Sequence, residues 1–211
     1  MIMPIPSGVS DGTGDYPAPS QGDWVIENDT YVHDESIYLK GSLLIMENAT
    51  LILENVTLDI HSNNNDIHGI YVYEWGELMV NYSEISSHPS SFIFLVEGNL
   101  SMESCDISDT TTGIQNEKGY MYIANSSIYN NDLAGVWCNG TTVLINNNIQ
   151  SRTWGVVISF FHYAYLENNT INSCEWGINV IAYAYAYMLG NTISNNSFGG
   201  LNLELGYFEI H

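Results

Sequence analysis

Positive charge is almost missing from this sequence. Lys40, Lys118 and Arg152 stand against 24 aspartates and glutamates, giving a formal charge of −21 over 211 residues. A field of that sign repels nucleic acid and anionic membrane surfaces, which excludes both as partners. An anionic polysaccharide is disfavoured as well unless a divalent cation bridges it. Cysteine is nearly absent too: Cys105, Cys138 and Cys174 are an odd number at wide spacing, with no CxxC pair. Neither a disulfide framework nor a zinc finger can be built from them. No apolar run is long enough to span a bilayer, so membrane insertion is not expected. The opening Met1-Ile2-Met3-Pro4 lacks the basic and apolar regions of a signal peptide. Either a signal has been removed, or the chain is cut from a longer protein. Proline is confined as well, with four of the five in residues 1–23. Together with the Gly, Ser and Asp there, it predicts an irregular arm.

What the sequence does have is asparagine in one context. Asn28, Asn48, Asn55, Asn81, Asn99, Asn125, Asn139, Asn168 and Asn195 each begin an Asn-x-Ser/Thr triplet without an intervening proline. Chance at this composition supplies only about four. Asn-rich turns can generate such triplets for free. The excess nonetheless points to an extracellular or cell-surface location, where glycans would be exposed.

It also has a repeat. Leu58, Ile85, Ile107, Ile128, Ile149, Ile171 and Ile193 recur at intervals of 22, 21, 21, 22 and 22 once the first is passed. A mostly glycine column precedes them by about 16 residues: Ser42, Gly69, Ser91, Gly113, Gly135, Gly155, Gly177 and Gly200. An apolar column follows it directly, formed by Leu43, Ile70, Phe92, Ile114, Val136, Val156, Ile178 and Leu201. Five before each anchor come Leu53, Val80, Met102, Ile123, Leu144, Leu166 and Met188. Neighbours alternate apolar and polar, which is the period of a strand and not of a helix. Strands this short cannot bury a face alone, but stacked coil on coil they pair in parallel and line their side chains into ladders. Two small polar ladders are expected at the corners. One is Ser83, Cys105, Ser126, Asn147, Asn169 and Asn191; the other is Ser87, Asp109, Asn130, Ser151, Ser173 and Asn195. Residues 24–41 fit the repeat poorly and are expected as an end cap, with the solenoid proper at 42–211.

The phrases Leu166-Glu167-Asn168-Asn169-Thr170-Ile171 and Leu189-Gly190-Asn191-Thr192-Ile193 resemble repeats of the pectate-lyase-like and NosD-type β-helix families. Gly41-Ser42-Leu43-Leu44-Ile45 with Leu51-Ile52-Leu53-Glu54-Asn55-Val56-Thr57-Leu58 resembles the first coils of archaeal and bacterial surface proteins of this kind. The resemblance covers residues 24–211. It implies an all-β, single-stranded, right-handed parallel β-helix of seven or eight coils of about 22 residues. It leaves function open, because this scaffold hosts lyases, hydrolases, epimerases, adhesins and inert spacers.

A lyase of this type needs a base and a calcium-holding aspartate cluster. Arg152 and Lys118 are the only candidate bases, and both fall in turns without acidic company. A glycoside hydrolase needs paired carboxylates, whereas Asp106 and Asp109 stand alone. No catalytic residue is therefore assigned. The stretch Asp59, His61, Asn63, Asn64, Asn65, Asp66 and His68 has donors for calcium or a transition metal. It reads better as a solvated polar loop, so no metal and no cofactor are assigned. His33, His88, His162 and His211 are scattered. Cys138 shares an inward column with Ile158 and Val180 and should be an inert buried thiol. Cys105 and Cys174, about three coils apart, are near 14 Å by stack height and too distant to bond.

If the column five before each anchor faces inward, those six and eight before it face out. They place Tyr120 with Tyr122, Tyr163 with Tyr165, Tyr185 with Tyr187, and then Tyr207 on one sheet, interrupted at Thr141 and Val143. Such a face is either an interface or sugar-stacking platform, or simply cross-strand reinforcement of the sheet. A slip of one residue would turn the rings inward. Gly206-Tyr207-Phe208-Glu209-Ile210-His211 starts a further strand whose edge invites another coil, supplied by a longer chain or by another subunit. The expected function is a non-catalytic structural or adhesive module. It would self-associate end to end or through the tyrosine face, or bind polysaccharide there. The competing class is a carbohydrate-active enzyme.

Overall fold

The computed structural model describes residues 14–211; the first 13 residues of the expected arm lie outside the described residues. Residues 14–23 contain no strand. From Trp24 onward the described chain forms 26 short strands and no helix. They assemble into three parallel sheets of nine, nine and eight strands. The first sheet runs from Trp24–Ile26 to Gly199–Glu204, the second from Thr30–His33 to Tyr207–Ile210, and the third from Ser36–Leu39 to Thr192–Ser194. Each turn of the chain gives one strand to each sheet, then climbs to the next level. Eight steps of about 4.8 Å make a rod core near 38 Å long.

The anchor column is real. Leu58 pairs with Ile85, Ile85 with Ile107, and so on through Ile128, Ile149 and Ile171 to Ile193, all in the third sheet. The Leu53–Met188 column is likewise continuous in the second sheet. Apart from Ile193, which is half-buried and packs against it, these side chains lie in one buried core cluster running through the solenoid. Burying a leucine or isoleucine contributes about 1.5–3 kcal/mol, so the stacked columns are the main stabilising term.

In the first sheet the expected column needs one correction. Ile70 pairs with Phe94, not Phe92, and Phe94 pairs with Ile114. The Phe92 strand meets a longer strand, Thr110–Asn116, and its register shifts between Phe92 and Phe94. Both rings are buried, so alternation alone could not choose between them. The adjoining inward column carries Asn116, Cys138, Ile158 and Val180 in succession, as expected for Cys138.

The end-cap expectation also changes. Trp24–Ile26, Thr30–His33 and Ser36–Leu39 pair in register with the strands of the next coil and form a full first coil. Its poor match to the repeat comes from different residues at the same positions, not from a different structure. Tyr16 and Ala18 pack against the core from the arm, where Trp24 Nε1 donates to the carbonyl of Asp15 at 2.6 Å. At the opposite edge Leu203, Phe208 and Ile210 occupy inward columns yet are exposed.

One polar ladder follows the sequence closely. Backbone N–H groups donate across coils from Cys105 to Ser126 Oγ (3.0 Å), and from Ser126 to Asn147 Oδ1 (3.0 Å). The chain continues from Asn147 to Asn169 Oδ1 (2.9 Å) and from Asn169 to Asn191 Oδ1 (2.9 Å). The Asn169 amide also donates to the carbonyl of Leu144 at 2.9 Å. The second ladder is displaced by one residue in several coils. Asp109, Asn130, Ser173 and Asn195 adopt left-handed φ of 62°, 56°, 59° and 55°. Their successors make the bonds instead: Thr110 N–H donates to Asn131 Oδ1 and Cys174 N–H to Asn196 Oδ1. An extra left-handed residue at that corner moves the inward side chain on by one position.

Candidate functional site

The expected tyrosine face exists on the outside of the second sheet. Alternation along Tyr163–Glu167 and Tyr185–Leu189 buries Ala164, Leu166, Ala186 and Met188 and turns the tyrosines out. Tyr163 lies over Tyr185 with ring centroids 5.4 Å apart and planes 12° from parallel. Tyr165 lies over Tyr187 at 5.2 Å and 6°. Tyr187 in turn meets the His211 ring at 5.2 Å. Tyr207 pairs with Tyr185 in backbone register and is 61% exposed. Tyr120 and Tyr122 stand on the same columns two coils earlier, separated from Tyr163 and Tyr165 by Thr141 and Val143.

A third stack went unexpected. Phe161 and Tyr183 stack at 5.3 Å and 11°, at the corner where the first sheet turns into the second. Phe160, Phe161 and Tyr183 all have left-handed backbones, with φ of 58°, 63° and 63°. This conformation aims bulky rings outward; Phe161 is 76% exposed. The signal was in the sequence: Phe161, Tyr163 and Tyr165 repeat 22 residues on as Tyr183, Tyr185 and Tyr187. A second aromatic strip, also unexpected, runs along the first sheet: Trp137 meets Trp154 edge-on at 5.9 Å, and Trp176 meets Phe198 at 6.3 Å.

The stacking decides what the face offers. Parallel rings at this spacing spend their π faces on each other, so most of the ladder presents ring edges and hydroxyls outward. Two phenols are further engaged by carboxylates. Tyr165 donates to Glu167 Oε2 at 2.8 Å, and that bond, ahead of desolvation, raises its pKa. Tyr185 is raised likewise by its bond to Glu209. The three cations lie elsewhere. Lys118 pairs with Glu97 at 3.3 Å, Lys40 sits 5.8 Å from the Tyr38 ring, and Arg152 shares a shallow groove with Asp132 and Tyr129.

The remaining expected sites are placed as follows. Asn28, Asn48, Asn55, Asn99, Asn125, Asn168 and Asn195 are exposed and Asn81 half-buried, whereas Asn139 is buried. The Asn139 amide donates to Glu117, and its carbonyl oxygen accepts from Trp137 Nε1 and from Ser159 Oγ. Asn139 is therefore inaccessible to a glycosyl group in the folded chain. In the Asp59–His68 loop, His61 bonds the Tyr38 hydroxyl at 2.7 Å and His68 approaches Asp66 at 3.3 Å. No group of three metal-binding side chains forms there or elsewhere among the described residues. The three cysteines are free and buried. Burial pushes the Cys138 thiol up to about 12 and the Cys105 thiol up to about 11.

Residues 68–210 match the family described as a right handed beta helix region, which is more than half of the chain. The chain belongs to the right-handed β-helix family. Comparison with curated proteins and with solved structures returned no match. The family match is to the fold at large and does not single out the NosD-type branch. Since β-helix scaffolds carry both enzymes and non-enzymes, function has to be argued from the aromatic face itself.

Proposed function

We propose that this β-helix is a non-catalytic structural and adhesive module of the cell surface, which binds its partner through the aromatic face of the second sheet. The observation that carries this reading is the row of three stacked ring pairs on adjacent coils, with Phe161, Tyr163 and Tyr183 exposed and Tyr165, Tyr185 and Tyr187 half-buried. Contiguous exposed aromatics of this extent favour binding. The carboxylates beside them, Glu167 and Glu209, are bonded to phenols and are not poised as an acid–base pair. The eight accessible sequons support an extracellular location. The exposed apolar edge at Leu203, Phe208 and Ile210 suits another coil, whether from the same polypeptide or from a neighbouring subunit.

Replacing Tyr163, Tyr165, Tyr185 and Tyr187 together by Ser tests the proposal. The variant should keep its β-sheet circular dichroism and lose self-association or glycan binding. Unchanged association and unchanged binding in a folded variant would remove the basis for the reading. Carbohydrate binding is the second reading. It is favoured by the break in the ladder at Thr141, where the Tyr163 ring stacks on Tyr185 with one face only.

A further inference from the structure

We infer that the one-coil gap in the tyrosine ladder is a binding slot for a single neutral pyranose ring of an extended saccharide. Tyr163 is the wall, Thr141 the floor, and Tyr120 the opposite wall. The inference rests on the reading of the aromatic face as a binding surface, and it names the ligand and the place.

Tyr120 pairs in register with Thr141, and the Thr142–Ala164 pairing sets Thr141 beside Tyr163. Tyr120 and Tyr163 are thus two coil steps apart, about 9.6 Å along the rod axis. The Tyr163 ring has one face against Tyr185, so its other face looks across Thr141. Thr141 is exposed, which means that neither ring folds over it and the gap stands open. Tyr120 and Tyr163 are themselves 44% and 40% exposed. The parallel gap between Tyr122 and Tyr165 is floored by Val143, which has nearly the shape of threonine but no hydroxyl, and is half-buried where Thr141 is exposed.

The height of the gap selects the occupant. A flat guanidinium touching both walls needs roughly 7–8 Å, twice the optimal carbon contact distance. A puckered pyranose with axial hydrogens on both faces needs ring-to-ring separations of at least about 4.5 Å on each side, or 9 Å and slightly more in all. The second value fits. The Thr141 hydroxyl supplies a hydrogen-bonding group at the floor, where an aromatic ligand would have only ring edges to offer it. Charge then selects among sugars. Glu167 closes the Tyr163 strand, the one nearby cation, Lys118 in the turn before Tyr120, is paired with Glu97 and Glu74, and the chain bears −21. An anionic sugar is repelled, whereas the hydroxyls of a neutral one can donate to carboxylates.

The test uses the full chain with cello-, xylo-, manno- and chito-hexaose, and with the galacturonate hexamer as anionic control. At least one neutral hexamer should bind and shift the Thr141 methyl resonance, with the anionic one at least tenfold weaker. Thr141→Tyr continues the ladder through the gap. It should fold at least as stably as the parent and lose binding by tenfold or more. If Thr141→Tyr binds like the parent while the fourfold Tyr→Ser variant does not, the slot is wrong and the aromatic face still binds. If no neutral hexamer binds, the slot is overturned; the adhesive reading then stands or falls on self-association of the fourfold variant. Tighter binding of the galacturonate hexamer would overturn the charge argument and the slot with it.

Discussion

The two corners that bound the second sheet are built on opposite terms. Between the second and third sheets, all eight turns are two residues long, from Asp34-Glu35 to Gly190-Asn191. The first residue of every one is left-handed: Asp34, Asn55, Tyr82, Ser104, Asn125, Asn146, Asn168 and Gly190 have φ between 52° and 63°. From Ser83 onward the second residue is the small polar ladder, whose side chains satisfy the turn's buried backbone groups. Between the first and second sheets, the turns vary from two to four residues and carry Asn48, Trp75, Phe161, Tyr183 or Leu205. Where side chains meet the hydrogen-bonding demand of the backbone, length and residue type are fixed. Where backbone carbonyls of the same or the next coil meet it, as for Asn48, Phe161 and Tyr183, both drift, and bulky rings can accumulate at the surface. The strict corner keeps the coils in register, and the loose one is free to diversify.

The sharpest way to break this contrast is to remove a ladder side chain. Asn169→Leu strands the Asn147 N–H and the Leu144 carbonyl in the interior, and should cost roughly 3–4 kcal/mol in urea denaturation. Phe161→Ser, at the loose corner, should stay within about 0.5 kcal/mol of the parent. A comparable loss for both would erase the distinction.

Next in size is the conformational demand. Asn146 has φ 57°, so Asn146→Val should lose about 1–2 kcal/mol. Asn146→Gly should be within a few tenths of the parent, since glycine enters that region at no steric cost. Equal midpoints for Val and Gly would show that the backbone there is not constrained.

The thiols sharpen the comparison from inside, since Cys105 belongs to the strict corner and Cys138 closes the strand that enters the loose one. Both have folded pKa values above the ordinary 9.0, at about 11 and about 12. The stability this represents is present below pH 9 and is lost as pH rises toward those values, because the unfolded thiols ionise first. Each contributes a slope of up to about 1.4 kcal/mol per pH unit. Denaturation midpoints between pH 8 and 11 should fall, and Cys138→Val should flatten the fall; a pH-independent midpoint would contradict the burial. At pH 8 neither thiol should react with a disulfide reagent in the native state. The smallest effect is spectroscopic: Glu167→Gln should lower the pKa of Tyr165 toward the usual phenol value, read by ultraviolet titration. No change would mean that the phenol–carboxylate bond is not formed in solution.

The strict corner was also the legible one. Six aliphatic anchors from Ile85 to Ile193 at 21 or 22 residues identify the solenoid, its inward columns and the Ser–Asn ladder, because an element repeated under constant constraint leaves constant spacing. The misreadings cluster where the constraint relaxes. Phe92 and Phe94 are both apolar and both inward, so period two could not say which one pairs with Ile70. The second polar ladder moved because coils gain or lose one left-handed residue at that corner. Trp24–Leu39 reads as a cap in sequence because its residue types differ while its backbone pairing does not. Asn139 matched the sequon pattern, yet its hydrogen bonds inside the corner hide it. The candidate tyrosines were found by alternation within a strand, whereas Phe161 and Tyr183 were missed because they sit just past the strand's start, in a turn.

Two-residue turns throughout one corner also make the number of levels a free variable. From Ser104 to Gly190, one level could be excised as a block of 21 or 22 residues and its neighbours would meet in the same register. The rod would shorten by about 4.8 Å and every surviving contact would be kept. Reach is therefore quantised in this architecture. In-frame gain or loss of one such block adjusts the distance over which the face is held out, as notches do on a ratchet, without redesigning anything at either side of the cut.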